Sequence, residues 1–388
     1  MFPPHSLGGY ELSCRDVLAR WAERGHDSLV LTTDYARPGL AEEPGPASVR
    51  RTLRWYWEDH EFVRPSPRER LHWERHNRDE LHRAVADHRP DVVSVWHMGG
   101  MSLGLLTEVR RLGLPAVAVI CDEWPDYGRR HDAWLSAFAG RPALARVVGR
   151  LTGLPTALPD LAADASLCFV SAFLRDKLTA STGLAAPAGD VVHSGIDERV
   201  FPLRAADAGG WSGRLLCVGR VEPRKGFADA VAALPALPGA TLRVVGPSDG
   251  GHERDLRALA AELGVADRVT FEEVPRRDLP RIYGEADALL FTSAWLEPFG
   301  LVPLESMACS LPVIACPTGG ASEFLVDGEN CLTFAAANDL PAAVERLAAD
   351  PGLRSKLTAG GRATAGRLTI GRYAQELERR HLDACGAG

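Results

Sequence analysis

The sequence predicts an α/β protein built from two doubly wound domains, each a parallel sheet with helices on both faces. Three observations lead there. Apolar, β-rich runs alternate with helix-period segments along the whole chain, the pattern of βαβ units. The 388 residues exceed one ordinary domain and suit two of roughly 150 to 200 residues each. One small, polar, Gly-rich stretch, residues 204–213, lies near the middle and reads as a linker. The expected organisation is an N-terminal Rossmann-like domain over 1–203, the linker, a second Rossmann-like domain over 214–370, and a closing helix over 371–388 that packs back on the first domain. Two such domains place ligands at the C-terminal edges of their strands, so they are expected to face each other across a cleft.

In the first half, strands are expected at 28–32, 92–96, 116–120, 165–170 and 191–192, and in the second at 215–218, 242–245, 269–271, 288–292 and 313–315. Helices fall between them, including 10–24, 68–87, 103–112, 228–233, 253–262 and 304–308. The helix at 68–87 is charged and amphipathic and reads as solvated on one face, and the segment 51–57 before it reads as peripheral. One feature breaks the pattern: Phe2 to Gly9 leads into a helix with no strand ahead of it, where a doubly wound domain puts its first, central strand. The N-terminal domain is therefore expected to lack that strand, or to draw it from an upstream start.

Composition narrows the function. A net charge of −7 argues against nucleic-acid binding, and no polybasic run suits anionic lipid. No apolar stretch reaches membrane-spanning length, and Met-Phe-Pro-Pro-His does not open a signal peptide. The eight cysteines are scattered without CxxC pairs and read as reduced core residues of a cytoplasmic protein. Arginine displaces lysine almost everywhere, as in a GC-rich bacterial genome. Only Lys177, Lys225 and Lys356 remain, so a lysine inside a motif stands out. No feature of the sequence speaks to oligomeric state.

The stretch from Glu297 to Glu305 carries the most chemistry. An apolar run, Ala286 to Ser293, feeds a short turn that opens a helix, and the first turn of a helix offers unpaired N–H groups and a positive dipole end. Phe299, Gly300 and Leu301 are placed to aim those groups at a phosphate, with Gly300 allowing close approach. Glu297 and Glu305 would repel phosphate and are left to accept hydrogen bonds from hydroxyls. A ligand both hydroxyl-rich and phosphorylated fits, and a nucleotide sugar is such a ligand. Taken alone, the two glutamates equally suit a helix start that merely favours acidic residues.

Other segments join it in order: Val218-Gly-Arg-Val-Glu-Pro-Arg-Lys-Gly-Phe227, Val244-Val-Gly-Pro247, Cys316-Pro-Thr-Gly-Gly-Ala-Ser-Glu-Phe-Leu-Val-Asp-Gly-Glu-Asn330, His193 to Asp197, and Pro3-Pro4 with Gly8-Gly9. Together they resemble the retaining glycosyltransferases of the GT-B fold, specifically family 4, over nearly the whole chain. The resemblance implies transfer from a nucleoside-diphosphate sugar to a hydroxyl of a soluble small-molecule or glycan acceptor, by front-face displacement in which the leaving phosphate oxygen takes the acceptor proton. It implies that Arg220 and Lys225 stabilise the departing diphosphate, with a guanidinium fork and a compact ammonium charge. Glu305 corresponds to the residue that holds both ribose hydroxyls, and Glu297 to one that contacts the transferred sugar. No Asp-x-Asp motif occurs, so no metal or other cofactor is expected.

By the same resemblance Gly8 and Gly9 pass close to the donor, His97 stands near the reacting sugar carbon at the end of a strand, Val274 covers the base, and Gly246 floors that pocket. Gly319 and Gly320 either face the donor sugar or make a turn. On the acceptor side, Asp122 and Glu123 are candidates for hydroxyls or amines and Trp124 for a sugar-stacking face, with a plain solvated acidic loop as the other reading. Two further functions stay in play: a nucleotide-sugar epimerase on the same fold, which the Lys225 and Glu297–Glu305 motifs suit less well, and a non-catalytic sugar-nucleotide-binding partner.

Overall fold

The computed structural model describes residues 1–6, 8–42, 44–58, 61–184, 191–203 and 210–386. The chain divides into two units, Met1–Val192 with Tyr373–Gly388, and His193–Arg372. The division thus falls at Val192/His193 and not within 204–213, a stretch that lies largely outside the described residues.

In the first unit, β1 (Leu29–Thr33) pairs in parallel with β2 (Ser48–Leu53). A short antiparallel hairpin, β3 (Trp57–Glu58) and β4 (Glu61–Phe62), follows. A separate three-stranded parallel sheet runs β5 (Val93–Val95), β6 (Ala116–Ile120) and β7 (Ser166–Phe169). All five residues of β6 are buried, as expected of a central strand covered on both faces. The expected strand at 191–192 is only a single bridge from Val191 to Phe169, too short to make a ladder. Among the described residues no strand precedes the first helix, Gly9–Glu23.

The segment read as peripheral is structural. It supplies β2 and the buried Tyr56, whose hydroxyl donates to Glu74 at 2.6 Å. Glu74 belongs to the helix Pro67–His88, which starts on a Ser66–Glu69 capping box with Pro67 in its first turn. That helix turns a polar stripe inward: Asn77 accepts from Arg54 N–H at 2.7 Å and donates to Arg54 O at 2.8 Å. Its inward face mixes polar Glu74, Asn77 and Glu80 with apolar Leu81 and Ala84. The closing helix Ile370–Ala384 belongs, from Tyr373 onward, to this first unit. The Trp21 indole N–H donates to Ala374 O at 2.9 Å, and Glu378 pairs with Arg24 and His26.

The second unit is one six-stranded sheet of order β10-β9-β8-β11-β12-β13, parallel throughout. Its strands are β8 (Arg214–Val218), β9 (Thr241–Val245), β10 (Val269–Glu272), β11 (Ala288–Phe291), β12 (Val313–Ala315) and β13 (Leu332–Thr333). Leu215, Cys217, Val244, Leu290 and Ile314 form the middle of a core closed by helices such as Phe227–Ala233 and Leu340–Ala349. The chain order reverses between β8 and β11, the switch point at whose C-terminal ends doubly wound sheets bind their ligands.

Candidate functional site

The loops that leave β8 and β11 are laced together at that switch point. Ala294 N–H donates to Arg224 O at 3.0 Å, and the Thr292 hydroxyl donates to Lys225 O at 2.9 Å. This fixes Lys225 opposite Glu297. The Lys225 ammonium lies 2.6 Å from Glu297 Oε1, and the Ser293 hydroxyl donates to the same oxygen at 3.0 Å. Glu297 is buried and Lys225 half-buried, so the pair is shielded from bulk water and stronger than a surface ion pair. Trp295, beside it, carries the Arg224 guanidinium 4.6 Å from its ring centre.

Glu297 is also held through its backbone. Gly320 N–H donates to Glu297 O at 2.7 Å. Gly319 has φ +61°, and a Cβ there would lie 2.3 Å from Glu297 O. Of the two roles open for these glycines, the turn is therefore what the geometry shows, and it is a turn that seats the glutamate. Gly300, at φ +90°, makes the sharp entry into the helix Leu301–Ala308. Leu301 and Val302 supply first-turn N–H groups, whereas Pro303 has none to give. The Phe299 side chain is core, packed on Phe324 and stacked with His193.

Glu305, one turn into that helix, is buried and accepts from the Tyr283 hydroxyl at 2.9 Å. Burial pushes its carboxyl up to about 7, against the opposing pull of Arg276 and the Tyr283 hydrogen bond. The remaining residues expected for the donor leave the same sheet edge. Arg220 follows β8, half-exposed and 3.9 Å from Glu222. Gly246 follows β9, its N–H donating to Glu272 O at 2.9 Å, and Val274 stands half-buried after β10. Sequence reasoning missed Ser293, Tyr283, Arg276 and Trp295. Only Trp295, directly between the strand and the glutamate, offered a local signal.

A second cluster lies in the first unit. His97 follows β5, with the Tyr10 ring stacked on it at 4.8 Å. Gly99 N–H donates to His97 Nδ1 at 3.3 Å, which leaves the neutral ring's proton on Nε2, 2.7 Å from the Tyr127 hydroxyl oxygen. Tyr127 in turn donates to Asp122 Oδ2 at 2.8 Å. Against the upward push of burial, His97, the Trp124 N–H and the Tyr127 hydroxyl hold the Asp122 carboxyl below its ordinary range. Asp122 thus orients the histidine directly, with Oδ2 3.3 Å from His97 Nε2, and also through Tyr127, a partner that residue spacing alone did not reveal.

The expected acceptor residues need correction. Trp124 is completely buried in the first turn of the helix Trp124–His131 and offers no face to a sugar. Asp122 is engaged with Tyr127 and Trp124 N–H, and Glu123 pairs with Lys177 at 2.8 Å. Nor is the segment a loop throughout, since the helix starts at Trp124. Gly8 caps the first helix and donates its N–H to Glu11 at 3.0 Å. Gly9 is exposed, with open space where a side chain would point. Among the described residues no three His, Cys, Asp or Glu side chains gather as a metal site requires, and no helix is long and apolar enough to cross a membrane.

Residues 7–200 match the family model described as Glycosyltransferase Family 4, and residues 212–364 that of Glycosyl transferases group 1. A glycogen synthase of Mycobacterium tuberculosis is 28% identical over 95% of this chain and 88% of its own length. A GDP-mannose-dependent alpha-(1-6)-phosphatidylinositol monomannoside mannosyltransferase of Mycolicibacterium smegmatis is 32% identical over 59% of this chain and 68% of its own. Among solved structures, a sucrose-phosphate synthase from Thermosynechococcus elongatus superposes with a TM-score of 0.71 at 21% identity, covering 98% of this chain and 94% of that one. Anabaena HepE, in complex with UDP and glucose, gives 0.66 at 18% identity over 97% and 96%. The chain has the GT-B fold and belongs to glycosyltransferase family 4.

Proposed function

We propose that the protein is a retaining glycosyltransferase that moves a sugar from a nucleoside-diphosphate sugar to a hydroxyl of a soluble acceptor, without a metal. The observation that carries this reading is the Lys225–Glu297 pair at the point where the strand order of the second unit reverses. It sets a cation for the diphosphate beside a carboxylate for sugar hydroxyls. Arg220 and the N–H groups of Leu301 and Val302 add further positive potential, so charge that grows on the leaving diphosphate meets fixed donors. Glu305, as a carboxylate, accepts from the ribose hydroxyls. His97, oriented by Asp122 and Tyr127, is the residue of the first unit that the family resemblance assigns to the transferred sugar.

Glu297 is the residue that separates this reading from simple nucleotide binding. In Glu297→Gln the loss falls on transfer, by about a hundredfold or more in turnover, while nucleoside diphosphate affinity changes little. Unchanged transfer removes Glu297 from the mechanism. The same reaction, followed by NMR from donor to product, reads retention directly from the anomeric coupling.

A further inference from the structure

Residues 54–57 join β2 to the β3–β4 hairpin of the first unit. Tyr56 is turned inward, 1% exposed, with its hydroxyl donating to Glu74 and its N–H to Gly100 O at 2.6 Å. Its neighbours Trp55 and Trp57 stay half-buried, their ring centres 5.0 Å apart. Tyr35, two residues past β1 and also half-buried, meets Trp55 edge to face at 5.7 Å. These rings pack on the turn that leaves His97. A Cβ on Gly100 would lie 2.9 Å from the Trp55 ring, and one on Gly99 would collide with the Tyr127 ring, so both aromatics rest on bare backbone. From residue 97 to 100 the chain spans at most about 11 Å, which keeps Trp55 within reach of a ligand that also touches His97.

We propose that Trp55, with Trp57 and Tyr35, is the wall against which the acceptor lies, and that the part of the acceptor lying there is a pyranose ring of a glycan or glycoside. This rests on the glycosyltransferase reading above and names the acceptor class that reading leaves open. A pyranose has an apolar face of C–H groups and a rim of hydroxyls. The rings supply a broad, rigid surface for the face. The rim needs hydrogen-bonding groups, and two stand at the wall: neither the Trp55 indole N–H nor the Tyr35 hydroxyl bonds to another group among the described residues. The first can only donate, while the second both donates and accepts. An acyclic polyol has the hydroxyls without the face, and a plain aromatic has the face without the hydroxyls; the wall matches the ligand that has both. Its place also suits a ligand, since Tyr35, Trp55 and Gly100 follow the C-terminal ends of β1, β2 and β5. Tyr56, anchored at both its N–H and its hydroxyl, holds the tryptophans on either side in position before any ligand arrives. Trp55 thus takes the stacking role that the wholly buried Trp124 cannot fill.

Proton–nitrogen NMR of the nine tryptophan indoles in the full chain tests this, with the Trp55 signal assigned from Trp55→Phe. The probes are methyl glycosides and disaccharides of glucose, galactose and mannose, with sorbitol and phenol as the acyclic and aromatic controls. At least one pyranoside is expected to shift the Trp55 signal, and neither control to do so. That sugar should bind about tenfold or more weakly to Trp55→Ala and recover most of the loss in Trp55→Phe, which keeps a ring face. Pyranosides that leave the Trp55 signal in place overturn the proposal. So does undiminished sugar affinity in Trp55→Ala, or a shift by phenol with none by the sugars. The wild-type spectra decide the matter should Trp55→Ala not fold. Calorimetry with UDP, GDP, ADP and dTDP on the same protein separates this proposal from the reading beneath it. Nucleotide binding with Trp55 indifferent to every sugar refutes the acceptor wall alone, whereas a sugar-shifted Trp55 without nucleotide binding supports the wall and refutes the donor site.

Discussion

Replacing Glu305 with glutamine should make the protein more stable and bind nucleotide less well. The carboxyl is buried and its folded-state value is raised from 4.5 to about 7. Between those two values the native state holds a proton that the unfolded chain has released, so stability falls as pH rises from 4.5 to about 7 and stays reduced above it. The displacement corresponds to about 3 kcal/mol, the cost of keeping a buried carboxylate ionised at pH 8. Glu305→Gln removes the charge, keeps the volume, and leaves an oxygen for the Tyr283 hydroxyl. Its advantage over wild type should therefore be near zero at pH 4.5, grow through the window, and reach up to about 3 kcal/mol at pH 8. Affinity moves the other way. A charged acceptor for two ribose hydroxyls becomes a neutral one with a single oxygen, a loss of about tenfold to a hundredfold in nucleoside diphosphate binding. Urea titrations at several pH values and calorimetry at pH 8 measure both. A variant less stable than wild type at pH 8, or one that binds as well, refutes the placement of Glu305 as a destabilised carboxylate kept for ribose.

Two other changes bear on the geometry. Gly319→Ala puts a Cβ against the Glu297 backbone at a positive φ, so transfer should fall by about tenfold or more, with a loss of about 1–3 kcal/mol in stability, read by kinetics and thermal melting. Tyr127→Phe removes the hydroxyl that bridges His97 and Asp122 and leaves only their direct 3.3 Å contact; turnover should drop by about tenfold while calorimetric nucleoside diphosphate affinity holds.

The second unit was the more legible half. Its strands are short apolar runs, and the residues that the resemblance singled out, Lys225, Gly246, Val274 and Glu297, lie in the segments that follow them. The partners that hold them were less visible. Tyr283 reaches Glu305 from a different helix, and nothing in its own neighbourhood marks it. In the first unit, Ser48–Leu53 carries two adjacent arginines at its middle and lacks a continuous apolar run, so β2 went unread. Trp124 misled for a related reason. An aromatic next to acidic residues after a strand suggests an exposed loop, yet a helix begins there and turns the indole inward. Asp122 was correctly placed at the end of β6, but the direction it faces depends on Tyr127, five residues on, which helical geometry brings round to meet it.

The most direct test is calorimetric titration of UDP, GDP, ADP and dTDP, with and without EDTA, into the wild-type protein and Lys225→Ala. The account predicts that one nucleotide binds, that EDTA leaves its affinity unchanged, and that the substitution weakens it by about tenfold to a hundredfold through loss of a charge-assisted contact. Failure of all four to bind a folded protein, or binding indifferent to Lys225, contradicts the donor site at the reversal between β8 and β11.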